Sequence, residues 1–107
     1  MSQDSYALTE AVYYILLSLY SPLHGYGIMQ KVNDLSAGRV KLAAGTLYGA
    51  INTMLERGWI KALPGEKSSR KKEYEITLMG KNMVAYELNR LRELVANGEF
   101  ITNGEMK

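Results

Sequence analysis

The chain has 107 residues and a formal net charge of +2, with 47% hydrophobic and 22% charged residues, a composition typical of one globular domain. It has no cysteine and a single histidine, which excludes disulfide frameworks, Cys/His zinc sites and histidine-dependent catalytic triads. We expect neither a metal nor a cofactor.

Apolar residues recur at helical spacing near the start of the chain. One stripe consists of Leu8, Val12, Ile15, Leu16 and Leu19, and the other flank is also bulky, so the helix needs cover on two sides. It is predicted to end near Tyr20 or Ser21, ahead of Pro22. The run is too short to span a bilayer, and Asp4 and Glu10 precede it where a secretory signal carries Lys or Arg. We therefore expect a cytoplasmic protein.

Two further helices and a short strand follow. Residues 26–35 carry a helical apolar face, and Gly38 ends that helix. Residues 39–42 alternate polar with apolar side chains, which predicts a strand. The third helix occupies residues 43–57 and is ended by Gly58. Its buried stripe consists of Leu47, Ile51, Met54 and Leu55.

A hairpin and a final helix complete the chain. Strand-like runs at residues 59–63 and 72–77 flank the polar turn 64–71. Thr77 is placed to cap a helix from about Leu78 to Ala96, which Asn97 and Gly98 then stop. The order predicts a mainly α fold with a small β-hairpin, a winged helix-turn-helix. Residues 1–77 form the DNA-binding domain in this interpretation, and residues 78–107 a dimerisation helix with a frayed tail.

The outward face of the third helix carries little side-chain bulk. It presents Gly45, Thr46, Gly49, Asn52, Thr53 and Glu56, with Tyr48 at the edge. Small residues let a helix backbone approach another surface, and Asn pairs with adenine in the major groove. The alternative is that Gly45 only starts the helix and that Gly49 is a close helix-packing contact.

The hairpin loop concentrates positive charge. From Lys61 to Lys72 there are five basic residues and one acidic residue, which gives a net charge of +4. A wing with this charge suits DNA phosphates. The alternative is a solvated turn kept polar for solubility.

The last helix has a seam at coiled-coil spacing. We expect a partner's first and last helices to cover it, in an interface formed by Val12, Ile15, Leu16, Val84, Leu88, Leu91 and Val95. The alternative is that this helix folds back on its own first helix.

The remaining polar residues indicate no catalytic site. His24 fits a helix start or a surface position, and Glu73 and Glu75 have the spacing of a solvent-facing strand. Without a nucleophile, base or metal ligands, we expect no enzyme.

Three segments together resemble the PadR family of transcriptional regulators over residues 9–96. They are "HGYGIMQKV", "AAGTLYGAINTMLERGWI" and "SSRKKEYEITLMGK". The resemblance implies a homodimeric repressor on a pseudo-palindromic operator, often released by a small aromatic or cationic effector. It points to DNA contacts by Tyr26, Thr46, Tyr48 and Asn52, and by Lys67, Ser68, Arg70 and Lys71 in the wing.

The chain is similar to the short subgroup of that family, with one C-terminal helix. Some drug-sensing members hold planar drugs between tryptophans of that helix, whereas the single tryptophan here, Trp59, begins the wing hairpin. An effector pocket at the dimer centre would instead be lined by Tyr13, Met83 and Tyr86. The rival interpretation is a winged-helix module that docks onto protein, although the basic wing argues against it, since a docking wing is more often apolar.

Replacing Arg70 and Lys71 together with Ala should weaken binding to every DNA sequence. Each lost phosphate contact flattens the slope of log affinity against log salt by about 0.9, so we expect a loss of up to about two units. Fluorescence anisotropy at several salt concentrations measures it. An unchanged slope would remove the wing from the interface.

Overall fold

The computed structural model describes residues 7–64 and 72–105, without the side chain of Glu105. The helices are α1 (Glu10–Ser18), α2 (Gly25–Leu35), α3 (Ala44–Glu56) and α4 (Leu78–Glu105), and the strands are β1 (Leu23–His24), β2 (Ile60–Ala62) and β3 (Glu73–Ile76). The sheet is antiparallel in the order β1-β3-β2, with Leu23 opposite Tyr74 and Lys61 opposite Glu75. This mainly helical fold with a small sheet confirms the predicted winged helix-turn-helix.

The core lies between the first three helices, the sheet and the start of α4. Ile15, Leu16, Ile28, Leu47 and Ile51 are almost completely buried there. The buried stripe predicted for the third helix is confirmed, apart from Leu55, which is half-buried.

The first helix ends two residues earlier than predicted because the chain turns toward the sheet. The Ser18 hydroxyl donates to the Ile15 carbonyl at 2.7 Å, and the Leu19 carbonyl accepts a hydrogen bond from the Ile76 amide at 2.9 Å. Leu19 thus leaves the helical ladder to join β3.

The strand predicted over residues 39–42 is wrong. Ala37 and Gly38 have φ values of 54° and 81°, and this left-handed turn leads into an extended segment without strand pairing in the described chain. The sheet does have a strand besides the two of the hairpin, but it is β1, which precedes α2 and pairs with the free edge of β3. Val40 and Leu42 pack against the core, which accounts for their alternation with polar residues.

The last helix runs through the predicted stop at Asn97 and Gly98 and reaches Glu105. A glycine inside a helix costs about 1 kcal/mol, which is too little to end a helix that has already propagated for twenty residues. Its amino end begins as predicted, since the Thr77 hydroxyl accepts a hydrogen bond from the Gly80 amide at 3.1 Å.

A buried carboxylate joins the first half of α4 to the start of α1. The Glu87 side chain is 4% exposed, receives two hydrogen bonds from Arg90 at 2.6 and 3.0 Å, and accepts one from the Leu8 amide at 3.2 Å. The Arg90 hydrogen bond is the main reason that the pKa of Glu87 lies below its ordinary value of 4.5.

Glu87→Gln should therefore lower the free energy of unfolding by about 1–2 kcal/mol at neutral pH. A lowered pKa in the folded state stabilises above the unfolded pKa, and this contribution disappears as pH falls through the folded pKa. The difference between the two proteins should accordingly shrink below about pH 4.5. Urea unfolding from pH 7 to pH 3 measures it, with the exposed Glu93→Gln on the same helix as control; a difference independent of pH would contradict the assignment.

Candidate nucleic-acid interface

The outward face of α3 is as bare as its sequence suggests. Its exposed residues are Gly45, Thr46, Tyr48, Gly49, Asn52, Thr53 and Glu56. The Thr53 hydroxyl donates back to the Gly49 carbonyl at 3.2 Å, so part of the polar capacity of this face is used within the helix. Asn52 is the exposed amide at its centre.

The glycines of this face have open space around them. A Cβ built at Gly45 or Gly49 would meet no atom within 4 Å in the described parts of the chain. The alternative that Gly49 is a close helix-packing contact within the subunit is therefore wrong. Gly25, at the start of α2, is the opposite case, because a Cβ there would lie 2.1 Å from the Tyr48 hydroxyl oxygen.

Two tyrosines stand where α2 begins beside α3. Tyr48 packs its hydroxyl against Gly25 and remains 45% exposed, while Tyr26 is 63% exposed. Gln30 donates a 3.4 Å hydrogen bond to the Tyr26 hydroxyl, one turn along α2. Sequence analysis did not single out Gln30, although its position four residues after Tyr26 is the available signal.

His24 holds the start of α2. Its Nδ1 accepts a 3.3 Å hydrogen bond from the Gly27 amide, and its backbone is the N-cap of the helix. The prediction that His24 is a helix-start residue is confirmed. This cap satisfies one free amide in the first turn of α2, the turn that carries Tyr26.

The structure describes the two strands of the hairpin, but not the loop residues that were predicted to contact DNA. Lys67, Ser68, Arg70 and Lys71 lie outside the described residues. In the stem, the Lys61 ammonium lies 3.9 Å from a Glu75 carboxylate oxygen across the strands. Lys61 therefore has an acidic partner within the hairpin, which reduces the positive charge that it offers to a phosphate.

The residues predicted to form the dimer interface differ in how far they are exposed in the single chain. Ile15, Leu16 and Val84 are buried in the core of their own subunit, so their assignment to an interface is wrong. The exposed apolar face of α4 starts at Leu88 and continues with Val95, which is 58% exposed. Val12 and Leu91 are half-buried. The part of the helix beyond its predicted end also exposes Phe100 and Ile101, which the sequence analysis placed in a frayed tail.

A cavity of about 360 Å³ lies between the start of α1 and the middle of α4. Its lining residues are Leu8, Glu10, Tyr13, Tyr14, Glu87, Arg90 and Leu91. Of the predicted effector residues, Tyr13 lies in this lining. Met83 packs against the core instead, and Tyr86 is an exposed residue of α4 away from the lining.

One side of the cavity is connected to the turn between α2 and α3. Arg39 of that turn forms a two-pronged ion pair with Glu10, in which Nη1 donates to Oε1 at 3.0 Å and Nη2 donates to Oε2. The hydrogen bond from Arg39 lowers the pKa of Glu10, and the same bond raises the pKa of Arg39, with a smaller contribution from Tyr14.

The described residues form neither a metal site nor a membrane-spanning helix. Over residues 7–64 and 72–105, acidic and histidine side chains form no group that could hold a metal ion. Over that same portion, none of the helices is long and apolar enough to cross a membrane.

Comparison with solved structures supports the fold. A transcriptional regulator from Clostridium thermocellum is 22% identical, with a TM-score of 0.63 over 92% of this chain and 93% of that one. A PadR family transcription regulator from Clostridium difficile R20291 is 20% identical, with a TM-score of 0.65 over 90% and 98%. RosR of H. salinarum is 20% identical, with a TM-score of 0.66 over 92% and 99%. Curated proteins gave no match.

The family comparison covers the region that builds the candidate interface. The model of the transcriptional regulator PadR-like family matches residues 14–86, from the middle of α1 through the helix-turn-helix and the hairpin into α4. This match spans more than half of the chain. The protein therefore belongs to the transcriptional regulator PadR-like family.

Proposed function

We propose that the chain is a cytoplasmic DNA-binding repressor that acts as a homodimer and is released from its operator by a small aromatic or cationic effector. The observation that carries the DNA-binding part is the open face of α3. Two glycines one turn apart leave space beside the exposed Asn52, on the helix that a helix-turn-helix inserts into the major groove.

In this proposal, α3 lies deep in the groove because Gly45 and Gly49 put no side chain between its backbone and the bases. Asn52 then reads adenine through its carbonyl and amide groups. Thr46 lies in the first turn, where backbone amides and the helix dipole favour a phosphate. Tyr26 and Tyr48 add hydroxyl contacts to the DNA backbone, and the basic wing adds contacts that do not depend on sequence.

Dimerisation is supported by the second half of α4. Leu88 and Val95 are exposed in the single chain and, seven residues apart, lie on one face of a 28-residue helix that extends past the body of the subunit. An exposed apolar face of this kind favours a second copy of the same helix. We propose residues 1–77 as the DNA-binding domain and residues 78–107 as the dimerisation segment, although Val84 and Glu87 also anchor α4 on its own subunit.

Effector release is supported by the cavity between α1 and α4. A ligand there would touch both the helix that carries the dimer seam and the helix that packs on the DNA-binding core. It would change operator affinity only by its differential affinity for the bound and free arrangements of the dimer. Tyr13 and Tyr14 supply aromatic faces, which suit a small aromatic or cationic compound, and the carboxylates of Glu10 and Glu87 in the lining are each paired with an arginine.

Titration of duplexes that tile the DNA upstream of the coding region tests the proposal. Fluorescence anisotropy should identify one preferred fragment, bound by two subunits with a steep dependence on salt. Weak binding of every fragment with little salt dependence would instead favour the protein-docking interpretation.

Gly49→Ala separates the function of the bare face from its effect on the helix. Because open space surrounds Gly49, the methyl should raise the free energy of unfolding by up to about 1 kcal/mol. The same methyl should reduce operator affinity by about fivefold or more, since it lies where the groove must approach. Gly104→Ala, at another open glycine far from α3, is the matched control for affinity. Unchanged affinity for Gly49→Ala would show that α3 does not approach the DNA closely.

Val95→Asp tests the seam. An unpaired charge buried in each half of the interface should weaken dimerisation by about 100-fold or more, roughly 3 kcal/mol. Analytical ultracentrifugation measures the dissociation constant. Asn97→Asp adds the same charge on nearly the opposite side of the helix and should leave the dimer intact. A dimer that tolerates Val95→Asp would place the interface elsewhere.

A further inference from the structure

Arg39 occupies the turn that leads into α3. The turn begins with two left-handed residues, Ala37 and Gly38, and the buried Ser36 closes it by accepting a 2.9 Å hydrogen bond from the Val40 amide. Arg39 thus lies four residues after the end of α2, and residues 40–43 connect it to the start of α3.

The partner of Arg39 lies on a distant part of the chain. The two terminal guanidinium nitrogens, Nη1 and Nη2, donate to the carboxylate of Glu10, which lies in the first turn of α1, 29 residues earlier. The other two ion pairs of the described residues are local, one within α4 and one across the hairpin. In the described chain, the Arg39–Glu10 pair is therefore the charged link from the turn ahead of α3 to the rest of the molecule.

Apart from the buried Leu47 and the contact of Tyr48 with Gly25, the start of α3 has few contacts that fix its direction. Its N-cap is Ala43, which has no polar side chain to bond the free amides of the first turn. Val40 and Leu42 anchor the turn by apolar contacts with the core, which are not directional. A two-pronged Arg–carboxylate pair supplies the missing orientation, because its planar geometry specifies direction as well as distance.

We propose that Arg39, through its ion pair with Glu10, is a positioning residue for DNA recognition that sets the orientation of α3. The proposal rests on the proposed function, since the oriented helix is the one assigned to the major groove. Glu10 and Tyr14 also line the cavity between α1 and α4, so a ligand that engages Glu10 would compete with Arg39 and disturb α3. Cavity and recognition helix would then share one carboxylate.

Two single variants and a charge swap test the proposal. Glu10→Gln and Arg39→Gln change the net charge in opposite directions, and Glu10→Arg/Arg39→Glu restores the pair at the original net charge. Because both side chains are about half exposed, the expected effect is modest. Both single variants should lower the ratio of operator affinity to random-DNA affinity by about two- to fivefold, and the swap should recover most of it.

If Arg39 instead contacted a DNA phosphate directly, Glu10→Gln would change DNA affinity in the opposite direction. Glu10→Gln would then free Arg39 and raise affinity for all DNA, and the swap would lower it; either result overturns the proposal. A readout without DNA separates this outcome from failure of the proposed function. Amide exchange of Val40 and Leu47, followed by NMR in the free protein, should quicken in both single variants and slow again in the swap. Unchanged exchange also overturns the proposal.

Discussion

The arrangement of the molecule depends on the junction at Thr77, which connects the end of α3 to the start of α4. Gly58 takes a positive φ of 77°, and the Gly58 and Trp59 amides close α3 by bonding back to the Leu55 and Met54 carbonyls. The Thr77 hydroxyl donates to the Gly58 carbonyl at 2.6 Å, and the Thr77 amide donates to the Trp59 carbonyl at 2.9 Å. Because the same hydroxyl caps α4, one residue joins the two helix ends.

This junction links the proposed reading face to the proposed dimer seam. A Cβ at Gly80 would lie 2.1 Å from the Trp59 carbonyl oxygen, so α4 starts in direct contact with the hairpin. The end of α3 therefore moves with the start of α4. In a dimer held by the second half of α4, the distance between the two copies of α3 would depend on the angle at which α4 packs against α1. The cavity lies between those two helices, so a ligand in it would contact both.

Much of the fold follows from local patterns. The apolar spacing of α3, the hairpin around a polar turn and the cap at Thr77 each use short-range chemistry that the sequence displays. The strand predicted at residues 39–42 was wrong because alternation also describes a loop that buries every second residue. β1 is two residues long and depends on a free edge of β3, a tertiary property. The same limit applies to Ile15 and Leu16, because a helix that is apolar all round does not reveal which side meets its own subunit. It applies to Val84 because coiled-coil spacing does not reveal where a seam leaves its own subunit.

The candidate site shows where sequence reasoning stops at the level of single residues. Gly25 begins α2, and Gly49 lies in the second turn of the neighbouring α3. Gly25 makes room for the Tyr48 hydroxyl, whereas Gly49 faces open space. Spacing alone cannot separate a glycine required by packing from one required by a ligand, because both lie on a helix. The distinction needs the position of the neighbouring side chain. Once Tyr48 is placed against Gly25, internal packing explains that glycine and leaves Gly49 to be explained by contact with another molecule.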